Sequence, residues 1–351
     1  MPKIEIMDTG HVDRSDSAFP TAVLLDNGDI LCGFSVGGGA HVDGGTFCAR
    51  SSDGGRTWSD KTPILEATDN PCTINHLRLS RERDGAILAY GQRDQRTSDG
   101  EQRQFEHCEA IVCTSQDGGH TWSPAAAVPL PIPGPYEISN PIVVTEDGRW
   151  LAPTASHHNG RYGEQVILLE SADRGATWSN TYTVFEHPQH EVGYLEQKVS
   201  TCGGDRLIAA AWCQDYEKDA DLFNAYAFST DGGRTWNGPH DTGIQGQTMT
   251  PVWLGDDRFL VTYNHRFGHQ CVQMLLVRAD SDHWDVEFEG MMYDGQSTLE
   301  LTDDVSSQEQ IRLIKFGYPT ALRLNDSTFL ATHWCEEDGV CGIRWTLLHV
   351  G

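Results

Sequence analysis

Ser51-Ser-Asp-Gly-Gly-Arg-Thr-Trp58 is the first of four copies of one eight-residue box. The others are Ser115-Gln-Asp-Gly-Gly-His-Thr-Trp122, Ser171-Ala-Asp-Arg-Gly-Ala-Thr-Trp178 and Ser229-Thr-Asp-Gly-Gly-Arg-Thr-Trp236. Their tryptophans stand 64, 56 and 58 residues apart, a period that means repeated supersecondary units. Within a box, Asp bonds nearby backbone N–H groups and Gly accepts a positive φ, which together make a tight turn. The Trp then lays a large ring beside the turn. The box is a structural clip, and a well-buried box Trp is expected to contribute about 3–5 kcal/mol to stability.

A second repeat counts the units. An apolar strand, a polar turn and an apolar strand recur six times, with turns at Asn27-Gly28, Asp84-Gly85, Asp147-Gly148, Gly203-Gly204, Asp256-Asp257 and Asn325-Asp326. Such turns between β-rich runs read as hairpins. The boxes fall between successive hairpins, and a worn fifth copy, Arg278-Ala-Asp-Ser-Asp-His-Trp284, follows the fifth. Six hairpins, each extended by further strands, predict an all-β, six-bladed β-propeller of four-stranded antiparallel blades. Residues 1–351 are expected to form one such domain. The ring should close with Lys3-Ile-Glu-Ile6 as the outer strand of the last blade, beside Ile343-Arg-Trp-Thr-Leu-Leu348.

Composition narrows the partners. The net charge of −26, from 25 basic and 51 acidic residues, repels nucleic-acid phosphates and anionic membrane surfaces. No apolar run of about 18 residues occurs, so no membrane-spanning helix is expected. The start, Met1-Pro-Lys-Ile-Glu-Ile, lacks a basic and apolar leader, which reads as a cytoplasmic protein or one whose signal has been removed. The ten cysteines include no C-x-x-C pair, and most sit in apolar strands such as Leu31-Cys32 and Ile111-Val-Cys113. Reduced thiols acting as small hydrophobes are the expectation. No spacing of His or Cys demands a metal, and no motif calls for a cofactor.

In a propeller, inner strands begin and second strands end at one mouth of the central tunnel. These positions carry Ala18-Phe19-Pro20, His76, Arg93 and Asp94, His157 and His158, Tyr194 and Glu196, Asp215, His265 and Arg266, Tyr318, and His333-Trp334. Hairpin ends usually carry Asp, Asn and Gly, so this enrichment in His, Arg, Tyr, Glu and Trp marks a candidate pocket.

The boxes and hairpins together resemble the sialidase (neuraminidase) superfamily of Asp-box propellers over nearly the whole chain. The resemblance implies three catalytic residues: Asp43 in His41-Val-Asp-Gly-Gly45 as acid/base, Glu196 in Tyr194-Leu-Glu-Gln197, and Tyr318 in Phe316-Gly-Tyr-Pro319 as nucleophile with Glu196 as its base. It also implies three arginines to hold the substrate carboxylate, because a guanidinium fork matches that geometry. Here Ala18-Phe19-Pro20 replaces the Arg-Ile-Pro type of motif, Trp212-Cys213 stands at the second position, and only Arg266 matches. The expected substrate is therefore a carbohydrate other than ordinary sialic acid. His76, Arg93, Asp94, His157, His158, Asp215, His265, Arg266, His333 and Trp334 are expected to shape its subsite. Two other readings stay open. One is a polysaccharide lyase, with Arg93 or Arg266 neutralising a uronate and a His or Tyr removing a proton. The other is a non-catalytic propeller that binds a glycan or a protein. The hydrolase reading expects the Tyr318 hydroxyl and the Glu196 carboxylate to meet within about 2.6–3.2 Å, or slightly looser without ligand.

Overall fold

The structure, a computed structural model, describes residues 2–37, 43–96, 105–158, 161–299 and 314–351. Six antiparallel sheets follow one another along the chain as six blades, with no helix among the described residues. Blade one runs Ser17–Leu24, Ile30–Val36, Thr46–Ser51 and Thr62–Leu65 from the tunnel outward. Blade two has Cys72–Arg81, Ile87–Arg96, Phe105–Ser115 and Ala126–Val128. Blade three has Trp150–His158, Arg161–Ser171 and Thr181–Glu186 outside an inner strand split into Tyr136–Glu137 and Val143–Val144. Blade four has Val192–Thr201, Leu207–Asp215, Ala225–Ser229 and Asn237–Asp241. Blade five has Gln247–Gly255, Arg258–His265, Gly268–Ala279 and Trp284–Leu299. Blade six has Phe316–Arg323, Thr328–Glu337 and Val340–Val350, and Ile4–Asp13 completes it, pairing Ile4 with Val350 and Ile6 with Leu348. Ring closure by the N-terminal strand follows the expectation. The four-stranded count is exceeded where two-residue strands, Thr68–Asp69 and Ala220–Asp221, join blades two and four, and where blade three's inner strand is split.

Each box acts as the clip its residues suggest. In the first, Asp53 Oδ1 accepts from Ser51 Oγ at 2.8 Å and from the Arg56 and Thr57 amides at 3.0 Å, and Oδ2 takes the Thr57 hydroxyl at 2.6 Å. Asp117, Asp173 and Asp231 repeat the pattern. In the worn fifth copy, Asp280 still caps the Asp282 and His283 amides. The boxes also join blades. A Cβ on Gly119, at φ 88°, would stand 2.5 Å from Leu31 of blade one, and Arg50 of blade one donates to the Gly118 carbonyl. Blade three reaches blade four the same way, Arg149 donating to the Gly232 carbonyl at 3.1 Å. The box tryptophans are half-buried rather than fully enclosed, so their contribution is smaller than a core Trp's. Nine of the ten cysteines are buried, and no disulfide joins any of them among the described residues.

Gly119→Ala should lower stability by about 1–3 kcal/mol, because the new methyl meets Leu31 at an unfavourable φ. Trp236→Ala should cost about 2 kcal/mol, roughly half a core value. Hydrogen bonds from Thr57, Thr121 and Thr177 hold the carboxyls of Asp53, Asp117 and Asp173 below the usual range. Partial burial works against this at Asp231, yet the Thr235 hydroxyl and amide still bring it down to about 2. Depressed folded values stabilise the fold above the unfolded Asp value, and that stability disappears as pH falls through the folded ones. Melting temperature should therefore fall steeply between about pH 4 and pH 2. In Asp231→Asn, melting should depend less on pH across that window.

Candidate active site

Four inner strands carry the same irregularity. Phe19-Pro20, Glu196-Gln197, Thr248-Met249 and Tyr318-Pro319 each set two residues against one on the second strand, interrupting the register. The first residue of each pair is left-handed, with φ of 58° at Phe19, 45° at Glu196, 47° at Thr248 and 54° at Tyr318. A β-bulge re-aims side chains locally, and non-glycine residues held at positive φ concentrate at functional sites. Blade two's inner strand is regular throughout. Blade three's is broken between Glu137 and Val143, where Pro141 offers no N–H, and Asn140 bridges instead to the backbone of Val199 in blade four.

That break exposes the Ser139 carbonyl to the centre. It accepts the Tyr318 hydroxyl from blade six and the Lys198 ammonium from blade four. Arg78 of blade two donates through Nε to the Tyr318 oxygen at 2.8 Å, and Lys198 Nζ lies 3.5 Å from the centroid of the same ring. Phe19 meets Tyr318 edge-on at 5.4 Å. Burial pushes the Tyr318 phenol up to about 12, against the pull of Arg78. Burial raises Glu196, opposed by Lys198, Arg266 and Arg78, while burial drives Lys198 well below its usual value. Arg266, 5% exposed, donates from Nε to Gln247 at 3.0 Å and leaves Nη1 without a hydrogen-bond partner among the described residues. Burial lowers it to about 10, opposed by Glu196 and Asp221. Three cations, from blades two, four and five, thus surround one glutamate and one tyrosine. The site fits an anionic group.

The direct Glu196–Tyr318 bond expected above is not formed in the unliganded site. The tyrosine hydroxyl is occupied by the Ser139 carbonyl and Arg78 because blade three's broken strand brings its carbonyl closer. Tyr318 is 1% exposed, whereas Glu196 is half-buried at the mouth. Asp43 lies exposed in blade one's mouth loop, its amide bonded to the Gly37 carbonyl at 2.7 Å.

The chain carries the signature of the BNR repeat-like domain over residues 48–329. It belongs to the BNR repeat-like domain family. Its propeller is also similar to a protein of unknown function from Dyadobacter fermentans, at 21% identity and TM-score 0.79 over 100% of both chains. A variant of the NanB sialidase of Streptococcus pneumoniae aligns at 11% identity and TM-score 0.69, covering 98% of this chain and 70% of that one. The intramolecular trans-sialidase of Ruminococcus gnavus, in complex with oseltamivir carboxylate, aligns at 11% identity and TM-score 0.66, covering 97% and 96%. No curated protein sequence gives a significant match. The expected six-bladed BNR propeller is therefore the fold of this chain, and that fold is similar to the fold of the sialidases.

Within this BNR propeller, several mouth residues join the cluster. His76 packs edge-on to Phe19 at 6.4 Å, and burial, with Arg78 and Arg96, lowers it to about 3, so it is neutral in ordinary buffers. Trp334 lies 6.4 Å from Phe19, within the apolar contact of blades six and one. Others are held elsewhere. Arg93 donates through Nε and Nη2 to one oxygen of Glu109 at 2.9 and 2.7 Å, so a substrate anion there would compete with that carboxylate. Asp215 caps its own turn through the Glu217 and Lys218 amides and pairs with Lys218 at 2.8 Å, so it is a turn residue. His333 is 0% exposed and packs on Tyr293 at 4.7 Å between blades five and six, which removes it from the mouth. Asp94 is buried and bonds Gln92 at 3.4 Å. His157 stacks on Tyr162 at 3.4 Å, and burial lowers it to about 4. His158 ends its strand opposite Arg161. His265 is half-buried, edge-on to Tyr263 at 6.4 Å.

Sequence reasoning missed Arg78 and Lys198 because they lie two residues inside the mouth positions it scanned, and Glu137 because blade three's inner strand begins earlier, at Tyr136–Glu137. A charge inside an apolar run, as in Leu77-Arg78-Leu79, was the available signal, since a buried charge requires a partner. Lys198→Met should push the Glu196 carboxyl further up and make it harder to ionise, as its opposing cation is lost. NMR titration of carboxyl-labelled glutamate checks this, and an unchanged titration would contradict the pairing.

Proposed function

We propose that this BNR propeller is a sialidase-superfamily exo-glycoside hydrolase acting on an acidic sugar other than ordinary sialic acid. The observation that supports it is the convergence of Glu196 and Tyr318, each at a left-handed inner-strand bulge, on three buried cations. Arg266, with Nη1 unpartnered, is placed to take the sugar's anionic group through charge-assisted bonds. Tyr318 is the proposed nucleophile. It gives up its bond to the Ser139 carbonyl, and its proton passes to Glu196, while Arg78 stabilises the oxygen anion that forms. Asp43 at the mouth protonates the leaving oxygen. An aromatic ring, Phe19, stands edge-on to Tyr318 where the family resemblance implies an arginine motif, and this sets the substrate apart.

The Arg78–Tyr318 bond also favours a second reading. A phenolate held by a guanidinium is a base, and with Arg266 on a uronate it fits β-elimination. A panel of acidic glycans separates the two. New reducing ends without an ultraviolet-absorbing unsaturated product indicate hydrolysis, and the absorbing product indicates elimination.

Tyr318→Phe and Glu196→Gln should each lower kcat by roughly 100-fold or more with the fold intact by circular dichroism. Their combined loss should fall far short of the product of the two, because the groups act as one unit. Near-normal turnover in Tyr318→Phe would contradict the assignment. Fluorogenic α-sialosides should be turned over poorly, and turnover at ordinary enzyme rates, on the order of 1–1000 per second, would contradict the substrate claim.

A further inference from the structure

Glu137 is a carboxylate that the sequence pattern never selected. It ends the short strand Tyr136–Glu137, opposite Ala155, immediately before blade three's inner strand breaks. Its Oε1 accepts the Glu196 backbone N–H at 2.8 Å and the Ser139 hydroxyl, while Oε2 is buried without a hydrogen-bond partner among the described residues. The Glu196 N–H sits at a bulge that takes it out of the regular ladder, and the residue is held at φ 45°. A left-handed glutamate is uncomfortable unless its surroundings fix it, and a charge-assisted bond from a second carboxylate does so.

We propose that Glu137 is the positioning residue of this site, fixing the Glu196 backbone across the blade three–blade four boundary and coupling the protonation of the two carboxylates. This rests on the reading of Glu196 as the proton acceptor of the reaction. From blade four, Glu137 faces Glu196, Lys198 and Tyr216, and from blade six it faces Tyr318. Tyr162 faces it from its own blade, and Arg78 and Arg266 bear on Glu196 from blades two and five. Burial and the Glu196 charge push the Glu137 carboxyl up to about 7, with Ser139 and Lys198 opposing. Two carboxylates this close lose their protons as a pair. The Glu196 charge thus bears on the Glu137 carboxyl across the boundary between blades three and four.

The test uses the full chain. In Glu137→Gln the amide oxygen still accepts the Glu196 N–H, but the second charge is gone, so Glu196 ionises at lower pH. The acid limb of kcat/KM on the acidic glycan that is turned over should move down by about one unit, with kcat at its plateau within threefold of the parent. Glu137→Ala removes the acceptor, and kcat should fall at least tenfold with KM little changed. Equal kcat in the Gln and Ala variants, or an unmoved acid limb, overturns the inference. A readout independent of activity is the Glu196 backbone amide by NMR, which should titrate near pH 7 in the parent and lose that titration in Glu137→Gln. An amide that does not titrate overturns the inference whatever the activity. A titrating amide with no turnover of any glycan supports the coupling and removes the hydrolase reading instead.

Discussion

The Ser139 carbonyl receives the Tyr318 hydroxyl from blade six and the Lys198 ammonium from blade four, so one oxygen of blade three ties three blades together at the tunnel centre. It is available because the inner strand of blade three is broken, with Pro141 unable to donate to a ladder. A regular inner strand would spend that carbonyl within its own sheet. The active-site candidates depend on this irregularity: it orients the phenol, anchors the lysine, and leaves Glu137 at a strand end from which it reaches the Glu196 amide.

The electrostatics follow from the same geometry. Arg78, Lys198 and Arg266 are buried, and buried charges are costly unless partnered. Glu196 supplies part of the compensation, and the unpartnered Nη1 of Arg266 leaves part unmet. A site in that condition gains most from an anionic ligand. Around it, the chain as a whole is strongly acidic at −26. The cationic centre within an anionic exterior favours a small acidic sugar over an extended polyanion, which the outer field repels.

The fold was legible because it repeats. Four boxes and six hairpin turns each encode one local turn, and a turn needs only the residues that form it, Asp53 with its Thr57 partner or Gly28 at positive φ. Glu196, Tyr318 and Arg266 were legible in the same way, as chemistry-bearing residues at strand ends. The rest depended on contacts between distant blades. Nothing local in Leu77-Arg78-Leu79 tells that Arg78 meets a tyrosine 240 positions later. Arg93 and Asp215 occupied the right strand ends, yet Glu109 and the Lys218 turn satisfy them first. His333 showed how a single register position separates a mouth residue from one enclosed between blades. One signal was present and unread: Ala18-Phe19-Pro20-Thr21 and Gly317-Tyr318-Pro319-Thr320 repeat an aromatic-Pro-Thr run, and both are bulges. Proline in an inner strand points to such a place, since it has no N–H for the ladder.

The bulged inner strands gather Glu196, Tyr318 and Arg266 into one site, which on the function proposed above accepts an anion. The most direct measurement is a crystal structure of the chain soaked with an acidic monosaccharide. The sugar's anionic group is expected on Arg266, with its ring over Glu196 and within reach of the Tyr318 hydroxyl. A sugar bound only outside the central mouth, with the Arg266 guanidinium left as it is, would contradict it.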